Sequence, residues 1–396
     1  MADESRLQRP ISFFPLYAAT FTVGVVMISL GPVLDPILAD LDIPLSQGGL
    51  ISVAFAVGML IGVVALNFFL AHVPVRWGLI GAAWLQAVAL AASGLLARSL
   101  WSLFIAYLFV GMGCVFLNSL PGMWVGSHVK VGTSHAMVVL LLFFAIGMML
   151  APVVIGVALG LGATWRWVFS AEAILSVILA VILTVMPVSD ISGRENLRWR
   201  QLRDVVGSNP RLFAAVIVAA VLYVGAEFIL NVWLAKFTID VFGAGKNLAS
   251  QVVALFWAGL VVGRLMVIPL TRKVPASRLL MAATGTMAVF ALGIALSTSL
   301  AMVMVMAFMS GLGTSASYAL IASFSGRFPA WHAGVLYSAV VMAAAFGRII
   351  FPYVIGPIAD SLGFRVAIGL AFVLAAAVSV LSLYLHRVSG EGEAAA

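Results

Sequence analysis

Long apolar runs follow one another along almost the whole chain, and only short polar breaks separate them. A run of about 20 apolar residues crosses a bilayer as a helix, because each helical residue adds about 1.5 Å along the axis. Of the 396 residues, 64% are hydrophobic and only 9% are charged, whereas soluble domains carry about 25% charged residues. The pattern therefore predicts an all-α integral membrane protein.

The runs predict twelve membrane-spanning helices, which we number as spans 1 to 12. No small-residue cleavage site follows the first run, so we expect span 1 to be retained in the protein. Lys and Arg fall mainly in alternate breaks, which by the positive-inside rule predicts an inner-membrane protein with both termini in the cytoplasm. The approximate ranges of the spans are 11–38, 47–70, 77–97, 100–124, 134–160, 167–187, 211–237, 248–270, 276–298, 300–324, 332–357 and 363–386.

The longest polar break is rich in arginine and separates six spans from six. We therefore predict an N-terminal six-helix bundle over residues 1–187 and a cytoplasmic linker over 188–210. A C-terminal six-helix bundle with a short cytoplasmic tail is predicted over 211–396.

The two halves of the chain also match in sequence at a shift of about 200 residues. FFAIGMMLAPVVIG (143–156) aligns with AAAFGRIIFPYVIG (343–356), and the GMG at Gly111 aligns with the GLG at Gly311. Matching segments in one order indicate an internal duplication, which is common among secondary transporters. Glycine also lets helices approach closely in lipid, so ordinary packing explains most of these glycines.

Two sets of six spans, a basic central break and the paired GxG segments resemble the major facilitator superfamily over the whole chain. Within it, LYVGAEFILNVWL (222–234), LFWAGLVVGRLM (255–266) and GRIIFPYVIGPIADSLG (347–363) are similar to the fucose permease branch, the fucose, galactose and glucose proton symporters. The resemblance implies two pseudo-symmetric six-helix bundles around one central site. It also implies a small-molecule substrate, protons and membrane lipid as partners.

The chain departs from this family in two places. The loop between spans 2 and 3 reads NFFLAHVPVRWG with Arg76 as its one basic residue, whereas its counterpart TRKVPASR keeps Arg272, Lys273 and Arg278. We therefore expect a cytoplasmic gating contact to depend on the second half. Fucose permeases use acids in spans 1 and 4, but here span 4 has none and span 1 has only Asp35.

Two ionisable residues lie deep inside predicted spans, Glu227 in span 7 and Arg348 in span 11. Each is about 16 or 17 residues from the cytoplasmic start of its span, so the two reach nearly the same depth. A charge at the bilayer centre costs about 2.5–3.5 kcal/mol on insertion scales, so such residues usually face a cavity or a partner. Three interpretations remain open: proton coupling at Glu227 with Arg348 as its electrostatic partner, a structural ion pair, and direct contact with substrate.

Further polar and aromatic side chains are candidates for a substrate cavity. Tyr223, Glu227 and Asn231 repeat at i, i+4 and i+8, so they share one helix face. Packing or hydrogen bonding between helices explains each candidate equally simply. The others are Asn118 in span 4, Trp257 in span 8, and Thr314 and Tyr318 in span 10.

Two more charged residues have structural interpretations. Arg264, near the cytoplasmic end of span 8, is expected to extend toward the interface or to anchor the adjacent loop. Glu172, just after TWRWVF, is expected to pair with Arg166 near the outer surface.

The sequence contains no GxxxxGK[ST] phosphate loop, no HExxH helix and no plausible Ser-His-Asp cluster in a soluble segment. We therefore expect neither an enzyme nor an ATP-driven pump, and we expect no cofactor and no metal. The net charge of +7 follows from the basic loops and does not indicate nucleic-acid binding. We expect a monomer.

The resemblance to the fucose permease branch implies a secondary active transporter that moves a small polar solute, such as a sugar, across the inner membrane by alternating access and proton symport. A proton-driven exporter of lipophilic compounds is one alternative, and the 17 Met and 25 Phe residues are consistent with it. An organic-anion transporter that uses Arg348 is another. A membrane-embedded sensor or scaffold without transport is the alternative from a different class.

Overall fold

The computed structural model describes residues 10–128, 133–186, 188, 206–267, 269–270, 273–324 and 330–388. Across these residues all regular secondary structure is helical. The predicted all-α membrane class is thereby confirmed. Most of the predicted linker lies outside the described residues, as does Arg272.

The described part of the chain forms fourteen helices. They are α1 (Pro10–Ile28), α2 (Leu30–Asp40), α3 (Leu45–His72), α4 (Val75–Leu95), α5 (Leu100–His128), α6 (Thr133–Gly160), α7 (Trp165–Val185), α8 (Pro210–Phe242), α9 (Lys246–Val267), α10 (Ala276–Leu296), α11 (Leu300–Thr314), α12 (Ser317–Ser323), α13 (Ala330–Leu362) and α14 (Phe364–Val388).

Eleven segments of the described chain are long and apolar enough to cross a membrane, and α11 with α12 counts as one of them. A twelfth span results when the pair α1 and α2, bent by 42° at their junction, is taken as one. The number and order of these segments agree with the twelve predicted spans.

The bend between α1 and α2 has a local cause in the sequence. Proline lacks a backbone N–H, so Pro32 cannot donate to the carbonyl of Ile28 and the helical ladder is interrupted there. The side chain of Ser29, at the junction, donates back to the Val26 carbonyl at 2.9 Å. Span 1 therefore changes direction part-way along its length.

The chain divides into two compact units. Unit 1 comprises Met1–Ile43 and Ala54–Asn196, and unit 2 comprises Pro44–Val53 and Leu197–Ala396. The main division thus falls inside the long polar break.

Within unit 1, α1 packs against α6, and α4 packs against α5 and α7. Close backbone contacts hold the helices together: Gly58 on α3 lies against the Leu108 carbonyl, and Gly111 on α5 lies against the Phe55 carbonyl. A side chain at either glycine would overlap the facing backbone. Such contacts allow dense packing in lipid, where helices gain nothing from excluding water.

Within unit 2, α8 packs against α13 and α14, α9 packs against α11, and α10 packs against α14 and α11. Gly259 on α9 lies against the Phe308 carbonyl, and Gly311 on α11 lies against the Phe256 carbonyl. Gly347 on α13 meets the backbone of Val221 on α8. This last contact brings the middle of α13 close to the middle of α8.

The same contacts occur in both units about 200 residues apart, as an internal duplication requires. The Gly58 contact in unit 1 corresponds to the Gly259 contact in unit 2. Arg166 donates to the carbonyl of Ala97 at 2.7 Å, and Arg365 donates to the carbonyl of Ser297 at 2.6 Å. The two units therefore share packing positions that sequence matching alone only suggests.

We predict that Gly259→Ala destabilises the protein by about 1–3 kcal/mol, the usual cost of overpacking a tight contact, because its methyl group would overlap the Phe308 carbonyl. Gly81→Ala on α4 is the matched control, since no atom among the described residues lies within 4 Å of a Cβ added there. That change should leave stability equal or raise it by about 0.5–1 kcal/mol, because Ala is the better helix former. Thermal unfolding of both variants in detergent measures the difference, and equal melting temperatures would contradict this account of the contact.

Candidate functional site

Helix α8 supplies the central part of a polar cluster in unit 2. The Asn209 side chain caps its first turn by accepting from the Leu212 N–H at 3.1 Å, and Gly243 ends it with a left-handed φ of 63°. Between these ends the helix continues for 33 residues, about 50 Å at 1.5 Å per residue. Tyr223 and Asn231 lie on its buried face.

Glu227 lies between them on the same face and is only 9% exposed. The hydroxyl of Tyr223 lies close to its carboxylate, and the guanidinium groups of Arg264 on α9 and Arg348 on α13 act on it electrostatically. The carboxylate is therefore held in a field of positive charge.

Arg348 is positioned by neighbours on two other helices. Its guanidinium lies over the ring of Phe228, 4.7 Å from the ring centre, in a cation–π contact. Tyr318 on α12 also interacts with it electrostatically. The side chain thus stays beside Glu227 rather than extending toward a membrane surface.

A break between α11 and α12 completes the cluster. Because the helix is interrupted at Ser315, two carbonyls that a continuous helix would use internally accept bonds from side chains instead. Tyr223 donates its hydroxyl to the Thr314 carbonyl at 3.0 Å, and Arg264 donates Nε–H to the Ser315 carbonyl at 3.2 Å. Discontinuous helices of this kind commonly provide solute and ion sites in membrane transporters.

Several buried donors in this cluster have no acceptor among the described residues. They include Asn231 Nδ2, Trp257 Nε1 and Ser315 Oγ; Arg264 is partly exposed and bonds to the described residues through Nε–H. Asn231 is one turn beyond Glu227, about 6 Å along α8, and Trp257 is two turns before Arg264, about 10 Å along α9. Helices α8 and α9 run in opposite directions, because the short loop between Phe242 and Lys246 reverses the chain. Asn231 is therefore displaced from Glu227 in the same direction as Trp257 is displaced from Arg264.

The remaining cavity candidates are distributed between the two units. In unit 2 the Thr314 hydroxyl donates to the Ser310 carbonyl at 3.0 Å, so this residue contributes its backbone carbonyl to the cluster. Asn118 belongs to unit 1, where it is exposed on α5. The cluster in unit 2 therefore gathers Tyr223, Glu227, Asn231, Thr314, Tyr318 and Arg348 from the predicted set, and Trp257 lies on the adjoining face of α9.

Arg264 differs from its expected role. The residue was predicted to reach the interface or a loop, but it points into unit 2 toward Glu227 and Tyr223. Arg264 is seven residues after Trp257, so the two side chains share one helical face. This spacing is the sequence feature that could have predicted the position of Arg264 inside unit 2.

The predicted gating residues lie at helix ends. Arg76 donates to the Thr184 carbonyl at 3.1 Å and lies over the Trp77 ring, so it joins the start of α4 to the end of α7 within unit 1. Lys273 and Arg278 are exposed, and Arg272 is outside the described residues.

The predicted pair between Glu172 and Arg166 is wrong. Arg166 pairs with Asp40 at 3.1 Å, and Glu172 accepts a hydrogen bond from Ser29 at 3.3 Å. Residues six apart on a helix do not share a face, since neighbours on the helix surface are three or four residues apart. Glu172 is 4% exposed, so it is a second buried carboxyl group, located in unit 1.

No group of three or more His, Cys, Asp or Glu side chains in the described parts of the chain could hold a metal ion. The polar cluster in unit 2 instead combines one carboxylate, two guanidinium groups and neutral donors. This combination can bind a proton at Glu227 and hydrogen-bond acceptors on a solute.

Comparison with known families assigns the chain. The family model described as Major Facilitator Superfamily matches residues 16–300. The chain belongs to the Major Facilitator Superfamily. It is accordingly a membrane transporter and not an enzyme. Comparison with curated proteins finds no match.

Solved transporters of this superfamily have the same fold. A bacterial homologue of the human lysosomal transporter Spinster superposes with a TM-score of 0.78 at 14% identity, covering 96% of this chain and 98% of that one. A D-xylose-proton symporter gives 0.73 at 14% identity, with 93% and 95% covered. FucP in its outward conformation gives 0.67 at 14% identity, with 96% and 99% covered. At this identity the likeness shows the superfamily fold alone.

Removing one hydroxyl tests how the helix break is held. Tyr223→Phe should destabilise unit 2 by about 0.5–1.5 kcal/mol, because the Thr314 carbonyl loses its donor in a buried place. Tyr384→Phe is the matched control, since Tyr384 is 43% exposed and water can replace its bonds. Thermal unfolding in detergent should separate the two variants, and an unchanged melting temperature for Tyr223→Phe would show that this bond contributes nothing.

Proposed function

We propose that this protein is a secondary active transporter that couples a proton gradient to the movement of a small polar solute across the inner membrane by alternating access. We assign proton binding to Glu227. The observation that carries the proposal is a carboxylate buried in a membrane span on which two guanidinium groups act electrostatically.

A group that carries protons must exist in two charge states at acceptable cost. Burial favours the neutral acid, whereas nearby guanidinium groups favour the carboxylate. In unit 2 both influences act on Glu227, because its side chain is buried and Arg264 and Arg348 act on it electrostatically. Because these two influences oppose each other, both charge states of Glu227 are accessible.

Protonation also gives the transporter a reason to change conformation. Adding a proton to Glu227 changes the charge inside the span by one unit, in a region where a charge costs about 2.5–3.5 kcal/mol. States that differ by this amount differ in population by about 70- to 400-fold. Proton and solute binding can therefore select one orientation of the transporter over the other.

The similarity to a D-xylose-proton symporter supports both proton coupling and a polar solute. We further propose the arrangement expected from the sequence: bundles over residues 1–187 and 211–396, a linker over 188–210, cytoplasmic termini and a monomer in lipid. Gating at the cytoplasmic side is assigned to Arg272, Lys273 and Arg278.

The test compares wild type with Glu227→Gln in proteoliposomes challenged with sugars, organic anions and lipophilic cations. In the wild type we expect one solute class to drive proton movement, read from a pH-sensitive dye. In Glu227→Gln, solute exchange should persist while solute-dependent proton movement disappears, because glutamine keeps the shape of the side chain but cannot titrate.

Asp240→Asn is the matched control, because it removes a carboxylate from the same helix. That carboxylate lies near the end of α8 and pairs with Lys236. This control should couple protons as the wild type does. If folded Glu227→Gln, verified by size-exclusion chromatography, still moves protons with solute, the assignment of the proton to Glu227 is refuted. Solute-driven proton movement with lipophilic cations alone would favour the exporter.

A further inference from the structure

The solute class can be inferred from the donors that surround Glu227. Asn231 Nδ2 and Trp257 Nε1 are buried and have no acceptor among the described residues. Burying a donor without an acceptor costs free energy. A solute that brings acceptors recovers that cost when it binds.

Acceptors within the cluster are scarce by comparison. The Thr314 carbonyl is taken by Tyr223, and the Ser315 carbonyl is taken by Arg264. Each hydroxyl group of a neutral sugar brings a donor as well as acceptor lone pairs, and these donors would compete for Glu227. A carboxylate brings acceptors only, with lone pairs for about four hydrogen bonds.

The net charge of the cluster also favours an anionic solute. Two guanidinium groups and one carboxylate leave one net positive charge in the cluster, which attracts a solute with one negative charge. A guanidinium also matches the two oxygens of a carboxylate in a bidentate geometry.

We propose, on the basis of the transport function proposed above, that the solute is an organic monocarboxylate held by Arg264, Arg348, Asn231 and Trp257. Its carboxylate binds the two guanidinium groups, and the amide and indole N–H groups donate to its remaining oxygen atoms.

The groups that face Glu227 then explain the coupling. They are Tyr223 on its own helix, Arg264 on α9 and Arg348 on α13, with Tyr318 on α12 beside Arg348. When a proton binds to Glu227, the net positive charge of the cluster rises from one to two. An anion then binds more tightly, and by linkage the bound anion favours the proton, with coupling of about 5- to 150-fold typical for such systems.

The charge balance also fixes the stoichiometry. A cluster with one proton on Glu227 and one bound monocarboxylate carries the same net charge as the empty cluster with ionised Glu227. The transporter therefore reorients with equal charge when loaded and when empty, and transport of one proton with one monoanion is electroneutral.

The experiment uses the full chain in liposomes and two matched pairs of probes. Galacturonate is compared with galactose, and glucuronate with glucose, because each pair differs mainly by the carboxylate; methanesulfonate, methyl phosphate and succinate test other anions. We expect proton-coupled uptake of at least one monocarboxylate, no uptake of either neutral sugar, and no change when valinomycin and potassium impose a membrane potential.

Arg348→Gln and Arg264→Gln should each weaken uptake of that monocarboxylate by about 30-fold or more, the usual effect of removing one partner of a buried charge contact. Arg387→Gln is the control, because it removes an exposed arginine from the last turn of α14. If the arginine variants do not fold, Asn231→Asp provides the test: it keeps the side-chain shape, replaces a donor by a negative charge and should abolish anion uptake.

The outcomes separate this inference from the transport proposal. Proton-coupled uptake of a neutral sugar without any monocarboxylate would overturn the monocarboxylate assignment and leave Glu227 coupling intact. Preference for the sulfonate, the phosphate ester or the dicarboxylate would also overturn it, as would uptake that follows the membrane potential. If no probe moves protons in the wild type, both proposals fail.

Discussion

A carboxylate inside a membrane span is costly unless its surroundings stabilise charge, and much of unit 2 is arranged around that requirement. Glu227 lies on the buried face of α8, with Arg264 from α9 and Arg348 from α13 close enough to act on it. The close contact of Gly347 with the α8 backbone brings α13 near enough for Arg348 to reach this depth. The electrostatic interaction between Arg348 and Glu227 thus depends on the close helix packing at Gly347.

The break between α11 and α12 serves the same cluster. A continuous helix would consume the carbonyls of Thr314 and Ser315 internally, whereas here they fix the side chains of Tyr223 and Arg264. Each of these bonds orients a group beside Glu227. The corresponding helix of unit 1, α5, continues through Pro121 without such a break, so the duplicated halves have diverged where the polar chemistry lies.

Much of the fold could be predicted from the sequence, because bilayer thickness sets the length of each apolar run. Counting residues from the span ends also placed Glu227 and Arg348 at one depth, since helical rise is constant. Contacts between distant segments could not be predicted in this way. Ser29 bonds to Glu172 across 143 residues, and no local pattern indicates that pairing.

Arg264 shows a second limit of sequence analysis. Its position near the end of a span favoured an interfacial role, because long basic side chains usually extend toward water. The helix break supplied a carbonyl inside the unit instead, and that tertiary feature is not visible in the local sequence around Arg264.

The most direct test of the account follows the proton on Glu227 itself. Infrared difference spectroscopy of the purified protein, recorded with and without a bound monocarboxylate, detects the C=O stretch of a protonated carboxyl group. The account predicts that solute binding produces such a band in the wild type and in Asp240→Asn but not in Glu227→Gln. A band that persists in Glu227→Gln, or binding of solute with no band in the wild type, would contradict it.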